Sequence, residues 1–236
     1  MSRRVLIVGA EGKMGRLAVE TIESAPDFAV AGTVTRGDDL EATIDRAAPE
    51  IWIDMTSPEV GADHLDRALE RGIHPVFGTT GIAADRLAAA VEVAIEKQLG
   101  GVIAPNFSLG ACLMMELAET VAAHLPEVEI LEAHHPQKKD APSGTSLRTR
   151  ARIAEARERS DAEIPIHSLR LPGFIASQEV IFGGVGERLS IRHDTLDRQC
   201  FAAGILLACR RVTELSSLVL DLGALLFERS IEGTAR

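Results

Sequence analysis

The sequence lacks the features by which nucleic-acid-binding and membrane proteins are recognised. It has no tyrosine, one tryptophan and only 3% aromatic residues, so it offers few side chains on which bases could stack. Its 25 Lys and Arg are outnumbered by 35 Asp and Glu, and no basic run offsets the net charge of -10. No apolar run approaches the roughly 18 residues that cross a bilayer. We therefore expect neither a nucleic acid nor a membrane as a partner.

Cysteine is also scarce, and its distribution argues against disulfide bonds. Cys112, Cys200 and Cys209 are an odd number, and each lies in apolar sequence, so buried structural thiols in a reducing compartment are expected. An arginine pair near the N-terminus is followed by an apolar run, as in export signals, but that run ends at Val8. Because a signal core needs about 7–15 apolar residues, this run is better interpreted as a buried strand. A cytoplasmic location is expected.

The composition is otherwise that of a globular protein, with 46% hydrophobic and 25% charged residues. At roughly 150 residues per domain, the 236 residues suffice for one large domain or two small ones. In the first half, apolar runs typical of strands buried on both faces alternate with helical periodicity. The predicted strands are Arg4–Val8, Phe28–Val34, Ile51–Asp54, Pro75–Phe77 and Gly101–Ala104, and the predicted helices run from Met14 towards Pro26, around Leu65–Leu69, and over Ala84–Gln98. This alternation indicates βαβ units and a doubly wound parallel sheet.

The pattern changes after Pro105, where strands begin to follow one another without intervening helices. The predicted elements are a helix at Gly110–Ala123, a strand at Val128–Glu132, a polar loop at His134–Ser143, a helix at Thr145–Arg159, and strands at Ile166–Arg170, Glu179–Phe182 and Arg188–His193. Consecutive strands favour antiparallel pairing, so this half is expected to be α+β. An apolar helix at Phe201–Val212 and a leucine-rich tail at Leu218–Phe227 are expected to return to the first half.

A glycine-rich turn joins the first predicted strand to the first predicted helix. It reads Gly9-Ala10-Glu11-Gly12-Lys13-Met14-Gly15. Its spacing is GxxGxxG rather than the GxGxxG of most dinucleotide-binding turns. Glycines at this place permit a tight turn and let a pyrophosphate approach the N–H groups at the start of the helix. We interpret the motif as a dinucleotide-binding turn, and the alternative is a glycine turn without a ligand.

The end of the second strand bears on the choice of nucleotide. NAD sites usually carry an acidic residue there, whereas this chain has Thr35 and Arg36. An arginine in this place favours the 2′-phosphate of NADPH, although Asp38 and Asp39 follow it and leave NADH possible. Loops after the fourth and fifth strands are expected at the same edge of the sheet, where they would form a nicotinamide pocket. These loops are Gly78-Thr79-Thr80-Gly81 and Ala104-Pro105-Asn106-Phe107.

Residues capable of acid–base chemistry are concentrated in one segment of the second half. His134, His135, Lys138 and Lys139 form a cationic cluster on an acidic protein, which favours a small anionic substrate. Histidine can donate a proton near neutral pH, and lysine can anchor or polarise a carboxylate. Shortly after the cluster, Ser143-Gly144-Thr145 opens a helix whose free N–H groups can also hold a carboxylate.

Three other interpretations of this segment were weighed. It could be a solvated charged loop. It could be a metal site formed by the histidines with Asp140, but neighbouring side chains of an extended segment point to opposite sides, so no metal is expected. It could contain a hydrolytic serine, but Ser143 lacks the GxSxG context of a nucleophile elbow.

The sequence resembles the 4-hydroxy-tetrahydrodipicolinate reductases (dihydrodipicolinate reductases) of bacterial lysine and diaminopimelate synthesis. The resemblance runs nearly end to end, and its most specific part is the HH…K.DAPSGT block. The matching segments are GAEGKMG at 9–15, DMTSP at 54–58, GTTG at 78–81, PNFSLG at 105–110, EAHHPQKKDAPSGT at 132–145, RLPG at 170–173, QEVIFG at 178–183 and IRHDTLDR at 191–198. The resemblance implies a Rossmann domain followed by a mixed α/β domain whose sheet builds a homotetramer.

The same resemblance implies roles for the matching positions. Residues 1–105 with 204–236 would bind the dinucleotide, and residues 106–203 would bind substrate and mediate oligomerisation. The positions matching catalytic residues are His134, the proton donor, and Lys138, and those matching contacts to the dicarboxylate are His135, Gly144 and Thr145. The positions matching NAD(P)H contacts are Gly9 to Met14, Arg36, Gly78 to Thr80 and Ala104 to Phe107. Many members carry an acidic residue where this chain has Thr35, which favours NADPH.

We therefore expect NAD(P)H-dependent reduction of 4-hydroxy-tetrahydrodipicolinate, with a proton from His134. One alternative is an imine or semialdehyde reductase, such as an aspartate dehydrogenase, which would share the dinucleotide half but would not need the HH…K.DAPSGT block. A second alternative is a non-catalytic NADP-binding sensor.

Overall fold

The structure, a computed structural model, describes residues 2–79, 81–125, 127–157 and 164–227. The chain forms two compact units. The first contains the chain up to Ser108 together with the chain from Phe201 onward, and the second is Leu109–Cys200.

The first unit is built on a six-stranded sheet with the order β10-β5-β4-β3-β1-β2. Its strands are β1 (Arg3–Val8), β2 (Phe28–Val34), β3 (Ile51–Asp54), β4 (His74–Phe77), β5 (Gly101–Ile103) and β10 (Leu218–Val219). All neighbouring pairs are parallel, which confirms the predicted parallel sheet. The carboxyl ends of the strands therefore meet at one edge, where ligands bind in open sheets of this kind.

In the described part of the chain, six helices belong to this unit, and the first four of them connect successive parallel strands. They are α1 (Lys13–Glu23), α2 (Leu40–Ala47), α3 (Pro58–Glu70), α4 (Ala84–Lys97), α7 (Ala202–Arg211) and α8 (Gly223–Leu226). α2 was not predicted, because its eight residues are too few for a clear helical periodicity. α7 packs against α1, and β10 pairs with β5, so the predicted return of the C-terminal helix and tail to the first half is confirmed.

The core of the first unit explains why its strands are apolar runs rather than alternating patterns. All four residues of β3 are buried, and Val5, Leu6 and Ile7 of β1 are 0% exposed. Helices cover both faces of the sheet, so side chains on both sides of a central strand leave water. Trp52 is completely buried among these residues, with its ring centroid 6.0 Å from that of Phe77.

The second unit is a mixed sheet covered by helices. Its strands are β6 (Glu127–His134), β7 (Ile166–Arg170), β8 (Ala176–Gly184) and β9 (Glu187–Thr195), in the order β7-β6-β8-β9. Its helices are α5 (Leu109–Ala122) and α6 (Gly144–Ala156). Their apolar sides share a core with the strands, formed by Ala118, Ile130, Ile153, Val180 and Phe182, among others. The expected α+β architecture is confirmed.

Two details of this unit correct the sequence prediction. β7 does not pair with β8: it lies parallel to β6, while β8 occupies the other edge of β6 and pairs antiparallel with it and with β9. β6 also extends two residues beyond its predicted end, so His134 is the last residue of a strand and not the start of a loop. α6 ends at Ala156, and its predicted end at Arg159 lies outside the described residues.

The cysteines agree with the prediction of structural thiols in two of three positions. Cys112 and Cys209 are buried, whereas Cys200 is partly exposed, and none of the three forms a disulfide. Complete burial raises the pKa of the Cys209 thiol to about 12, which keeps it protonated and unreactive. Within the part of the chain that the structure describes, no helix has the length and apolar character needed to cross a membrane.

Candidate active site

A cavity of about 710 Å³ lies at the carboxyl edge of the parallel sheet. Its walls come from the segments that follow β1, β2 and β3, and from α3. The lining residues include Gly9, Glu11, Gly12, Thr35, Arg36, Thr56, Ser57 and His64. Four of the residues predicted to bind a dinucleotide are therefore in the wall of one cavity: Gly9, Glu11, Gly12 and Arg36.

The glycine turn after β1 has the geometry that a pyrophosphate requires. Gly9 has a φ of +84°, and a Cβ there would lie 2.8 Å from the carbonyl oxygen of Met55. A Cβ on Gly15 would lie 2.0 Å from the carbonyl oxygen of Gly9, so only glycine permits α1 to approach the turn this closely. Gly12, the N-cap of α1, has no side chain with which to accept the N–H groups of the first turn, which include those of Lys13 and Met14. These residues fit the phosphates of a dinucleotide.

The two acidic residues after β2, Asp38 and Asp39, both accept hydrogen bonds from neighbouring residues. The Asp38 carboxylate accepts hydrogen bonds from the N–H and the hydroxyl of Thr35, at 2.7 and 2.9 Å, and these bonds lower the pKa of Asp38. Asp39 caps α2 by accepting the N–H of Ala42 at 3.0 Å. Arg36 is exposed, and no described residue forms an ion pair or side-chain hydrogen bond with it.

A buried carboxylate that the sequence did not single out organises the loops at this edge. Asp54, the last residue of β3, is 0% exposed. Its Oδ1 accepts the Thr56 N–H at 3.0 Å, the Thr56 hydroxyl, and the Thr79 hydroxyl at 2.8 Å, while Oδ2 contacts Nδ1 of His64 at 2.7 Å. Asp54 thus ties together the loops after β3 and β4 and helix α3. The sequence signal that could have identified Asp54 was its position at the end of a buried strand.

The loops predicted to form a nicotinamide pocket follow β4 and β5 at the same edge. A Cβ on Gly78 would lie 2.7 Å from Sδ of Met55 and 3.1 Å from the Phe107 ring, so any larger residue would require these two side chains to shift. The Thr79 hydroxyl is already bonded to Asp54, and Thr80 lies outside the described residues. In the second loop Ala104 and Phe107 are buried, Pro105 is exposed, and Asn106 Oδ1 accepts the Ser108 N–H at 2.9 Å.

The second unit places the predicted acid–base residues at the end of β6. His134 and Glu132 are two residues apart on this strand, so their side chains lie on the same face. Nδ1 of His134 is hydrogen-bonded to Oε2 of Glu132, which is 0% exposed. Arg170, at the end of β7, donates to both oxygens of Glu132, at 3.1 and 2.8 Å. The result is a buried carboxylate shared by a guanidinium and an imidazole.

The pKa values of this group follow from its burial and contacts. Burial acts to raise the pKa of Glu132, but the hydrogen bonds from Arg170, Ser168 and His134 outweigh it and hold the pKa below its usual value. Glu132 is therefore ionised at neutral pH. Burial lowers the pKa of His134; Glu132 opposes this, whereas the charges of Lys138 and Arg170 add to it. The imidazole is consequently mostly neutral in the free protein at pH 7.

The loop after β6 carries Lys138, whose ammonium is already paired. Its Nζ donates to both oxygens of the exposed Asp140 carboxylate, at 2.9 and 2.8 Å. Nη2 of Arg170 donates to the backbone carbonyl of Asp140 at 2.7 Å, which connects this loop to Glu132. His135 is partly exposed, and its Nδ1 lies 3.2 Å from Oε1 of Gln137. Among the residues that the structure describes, no three His, Cys, Asp or Glu side chains gather as a metal site would need.

The start of α6 follows the same loop and was predicted as an anion contact. The Ser143 hydroxyl caps the helix by accepting the Ser146 N–H at 3.2 Å. Ser146 in turn donates its hydroxyl to Oε1 of Gln178 on β8, at 2.7 Å, so the helix start is fixed to the sheet. Gly144 is exposed, with open space where a Cβ would be, and Thr145 is partly exposed. Their N–H groups are in the first turn, where a carboxylate is favoured.

Glu132 and Arg170 are the residues of this cluster that the sequence prediction missed. The signal was present in β6: Val128 and Ile130 occupy the buried face, and the next residue on that face is Glu132. An acidic residue in an apolar register must have a partner. Because the predicted strand ended at Glu132, the prediction did not show that Glu132 and His134 lie on the same face of one strand.

The first unit is a doubly wound parallel sheet with a glycine turn, and the second unit carries a histidine–lysine cluster. Together these features define the class of protein as a nucleotide-dependent oxidoreductase. Comparison with known proteins narrows the class. The model of the family described as dihydrodipicolinate reductase matches residues 3–107 with its N-terminal part and residues 110–226 with its C-terminal part. The chain belongs to the dihydrodipicolinate reductase family.

Individual relatives agree. The chain is 43% identical to a 4-hydroxy-tetrahydrodipicolinate reductase of Legionella pneumophila (strain Paris), over 96% of this chain and 100% of that protein. It is equally similar, at 43% identity and the same coverage, to one of Coxiella burnetii (strain Dugway 5J108-111). Among solved structures, dipicolinate-bound dihydrodipicolinate reductase from Paenisporosarcina sp. TG-14 superposes with a TM-score of 0.88 at 35% identity, covering 94% of this chain and 99% of that one.

Proposed function

We propose that the protein reduces 4-hydroxy-tetrahydrodipicolinate to tetrahydrodipicolinate, with loss of water, using NAD(P)H, as a step of lysine and diaminopimelate synthesis. The observation that supports this most strongly is the Glu132–His134 pair beside the Lys138 loop, within the segment most specific to the family. The reduction of an anionic ring needs an ammonium to bind it and an imidazole to protonate it. The buried carboxylate orients the imidazole. The enzyme would bind the ring, hold it and protonate it.

The substrate carboxylates would be held by Lys138, His135 and the N–H groups of Gly144 and Thr145. Lys138 is bonded to Asp140, whose side chain is 58% exposed, so an incoming carboxylate can compete for the ammonium in this pair. The first turn of α6 adds the N–H groups of Gly144 and Thr145 and a partial positive charge. These contacts favour a dicarboxylate over a monoanion, because each carboxylate then has its own partner.

His134 would supply the proton. Glu132 only accepts hydrogen bonds, so Nδ1 of His134 carries a hydrogen and Nε2 is the nitrogen that exchanges a proton with substrate. The lowered pKa of His134 would rise when a dicarboxylate binds, because two negative charges then offset those of Lys138 and Arg170. Such acid catalysis contributes about 10²–10⁴-fold to the rate.

The cofactor site fits a dinucleotide at the glycine turn, and we propose NADPH as the preferred form. When bound, the reduced nicotinamide supplies the hydride. The contacts would be made by Gly9, Ala10, Glu11, Gly12, Lys13, Met14, Arg36, Gly78, Thr79, Thr80, Ala104, Pro105, Asn106 and Phe107. NADPH is favoured because Arg36 is unpaired among the described residues while Asp38 and Asp39 are bonded elsewhere. No metal takes part in this proposal.

The two units would have different functions. Residues 1–105 with 204–236 would bind the dinucleotide, and residues 106–203 would bind substrate and join subunits into a homotetramer in the cytoplasm. On the face of the four-stranded sheet opposite the buried Val128 and Ile130, Leu169 is 38% exposed and Leu131 and Ile181 are partly exposed, as an interface would require. Sedimentation equilibrium should give about four times the chain mass of 25.3 kDa, and a single chain mass would contradict this part of the proposal.

The test of the function is a coupled assay. The protein is mixed with NADPH and with the product of 4-hydroxy-tetrahydrodipicolinate synthase, and the near-ultraviolet absorbance of the reduced nicotinamide is followed. We expect oxidation of NADPH that needs the synthase and both of its substrates. Tight NADPH binding without oxidation would contradict the proposal and would instead fit a sensor.

A further inference from the structure

We infer that Glu132 is a positioning residue: together with Arg170 it sets which ring nitrogen of His134 carries the hydrogen and fixes the loop that carries Lys138. This deepens the proposed function and rests on it. Neither residue would touch the substrate. Their effect would pass through His134 and through the backbone of Asp140.

Glu132 has one available protonation state, the ionised carboxylate. It is completely buried, and its two oxygens take hydrogen bonds from Arg170, while Oε2 also contacts Nδ1 of His134. An ionised carboxylate has no hydrogen to donate. The neutral imidazole must therefore carry its hydrogen on Nδ1, and its other nitrogen, Nε2, is the atom left for proton exchange.

Arg170 contacts two parts of the cluster at once. One side of its guanidinium is held by Glu132, and Nη2 also donates to the Asp140 carbonyl at 2.7 Å. The Asp140 side chain holds Nζ of Lys138 at 2.8 and 2.9 Å. A continuous series of contacts thus runs from Glu132 through Arg170 and Asp140 to Lys138.

The charges around His134 determine whether its protonated form is favoured. The charged groups that act on it are Glu132 from its own strand, Arg170 from β7 and Lys138 from the following loop. Its partner on β8 is Ala176, which carries no charge. Glu132 favours the protonated imidazole, and the two cations disfavour it. Without the negative charge of Glu132 the cations act unopposed, so the protonated fraction of His134 falls at any given pH.

The experiment compares Glu132→Gln with Glu132→Asp in steady-state kinetics across pH. An acid catalyst must be protonated, so kcat falls as pH rises through its pKa. For Glu132→Gln we expect this descending limb to move by about one unit to lower pH and kcat to fall by roughly 10–100-fold. Glu132→Asp retains the charge, so its limb should stay near that of the wild type even where kcat is reduced.

A matched control is available on the same strand. Glu129 lies on the opposite face of β6, is exposed, and pairs with the exposed His167 at 2.7 Å. Glu129→Gln removes a Glu–His pair without touching His134, so the limb should not move. Arg170→Lys separates the second role: we expect a KM for the dicarboxylate raised by about tenfold, from loss of the contact to Asp140, with the limb unchanged.

A spectroscopic readout makes the test independent of activity. Nitrogen-15 shifts of the histidine rings, assigned by the signals absent from His134→Gln, distinguish the two neutral tautomers. We expect the Nδ1–H form for His134 in the wild type and the Nε2–H form in Glu132→Gln, whose amide donates to Nδ1. The same tautomer in both proteins, or a limb that stays in place in Glu132→Gln, would overturn the inference. An inactive wild type with the expected tautomers would instead overturn the proposed function.

Discussion

Among the described residues, each unit of the molecule contains one completely buried carboxylate, and the two have different partners. Asp54 ends a strand of the parallel sheet and accepts from a backbone N–H, two hydroxyls and His64. Glu132 lies near the end of β6 and is bonded to a guanidinium and to His134. The first carboxylate holds loops in place through mostly neutral donors. The second holds charge beside a group that we propose to transfer a proton.

The comparison teaches how binding and chemistry are built in this fold. At the carboxyl edge of the parallel sheet the predicted contacts are largely backbone groups of a tight turn, in which Gly9 and Gly15 occupy positions without room for a Cβ. At the end of β6 the proposed proton donor is a side chain: burial lowers the pKa of His134, while hydrogen bonds hold the pKa of Glu132 below its usual value. Changes in the first region should alter nucleotide binding, and changes in the second should alter turnover.

The largest expected effect is on turnover. His134→Ala removes the proposed proton donor and should lower kcat by about 10²–10⁴-fold, with the Kd for NADPH unchanged because the nucleotide contacts are in the other unit. Steady-state kinetics and fluorescence titration with NADPH measure the two quantities. His124→Ala, at an exposed position after α5, is the control and should behave as the wild type. Unaltered kinetics in His134→Ala would rule out the role.

Gly15→Ala should have the next largest effect, on binding. The added Cβ would lie 2.0 Å from the Gly9 carbonyl oxygen, so the turn and α1 must separate. We expect the Kd for NADPH to rise by about 100-fold, which corresponds to roughly 2.8 kcal/mol. Gly183→Ala, where a Cβ meets nothing within 4 Å, is the control. Isothermal titration calorimetry measures both, and equal affinities would show that the close approach is not needed.

Asp54→Ala tests the buried carboxylate of the first unit. It leaves the Thr56 and Thr79 donors without their acceptor, so the free energy of unfolding should fall by about 2–4 kcal/mol. The Kd for NADPH should rise by about tenfold, since the loops after β3 and β4 lose their connection. Urea unfolding and the same titration provide the measurements. Asp63→Ala, on the exposed side of α3, should change neither, and a comparable loss there would contradict a special role for Asp54.

The smallest effect is one of selectivity. Arg36→Ala should weaken NADPH by about tenfold and leave NADH within about twofold, because only NADPH has the 2′-phosphate. Competition titrations with both nucleotides measure the ratio. Arg16→Ala, on α1 and outside the lining of the cavity, should leave the ratio unchanged. Equal losses for the two nucleotides would show that Arg36 does not contact a 2′-phosphate.

Much of the first unit could be predicted because its signals are local. β2 and β3 have the bounds predicted from their apolar runs, and the glycine turn was placed correctly between β1 and α1. Such runs and turns follow from burial and from backbone conformation, which neighbouring residues determine. The partners of Asp54 could not be predicted, since Thr79 and His64 reach it only through the packing of β4 and α3.

The second unit was predicted less completely because pairing and charge depend on distant residues. β7 lies beside β6 and not beside β8. This pairing depends on which edge of β6 is free, and no local sequence pattern indicates which edge that is. Glu132 and Arg170 are 38 residues apart in the chain, so their contact was hidden as well. The sequence block around His134 could be recognised from the sequence. The buried Glu132–Arg170 pair that supports it could be found only once the strand order of the sheet was known.

The most direct test of the account measures two quantities on two variants prepared together: kcat at saturating NADPH, and the Kd for NADPH, in His134→Ala and Arg36→Ala. The account predicts a crossed result, in which His134→Ala loses turnover and retains affinity, while Arg36→Ala loses affinity and retains turnover. Loss of both quantities in either variant, or of neither, would contradict the division between nucleotide binding and proton transfer.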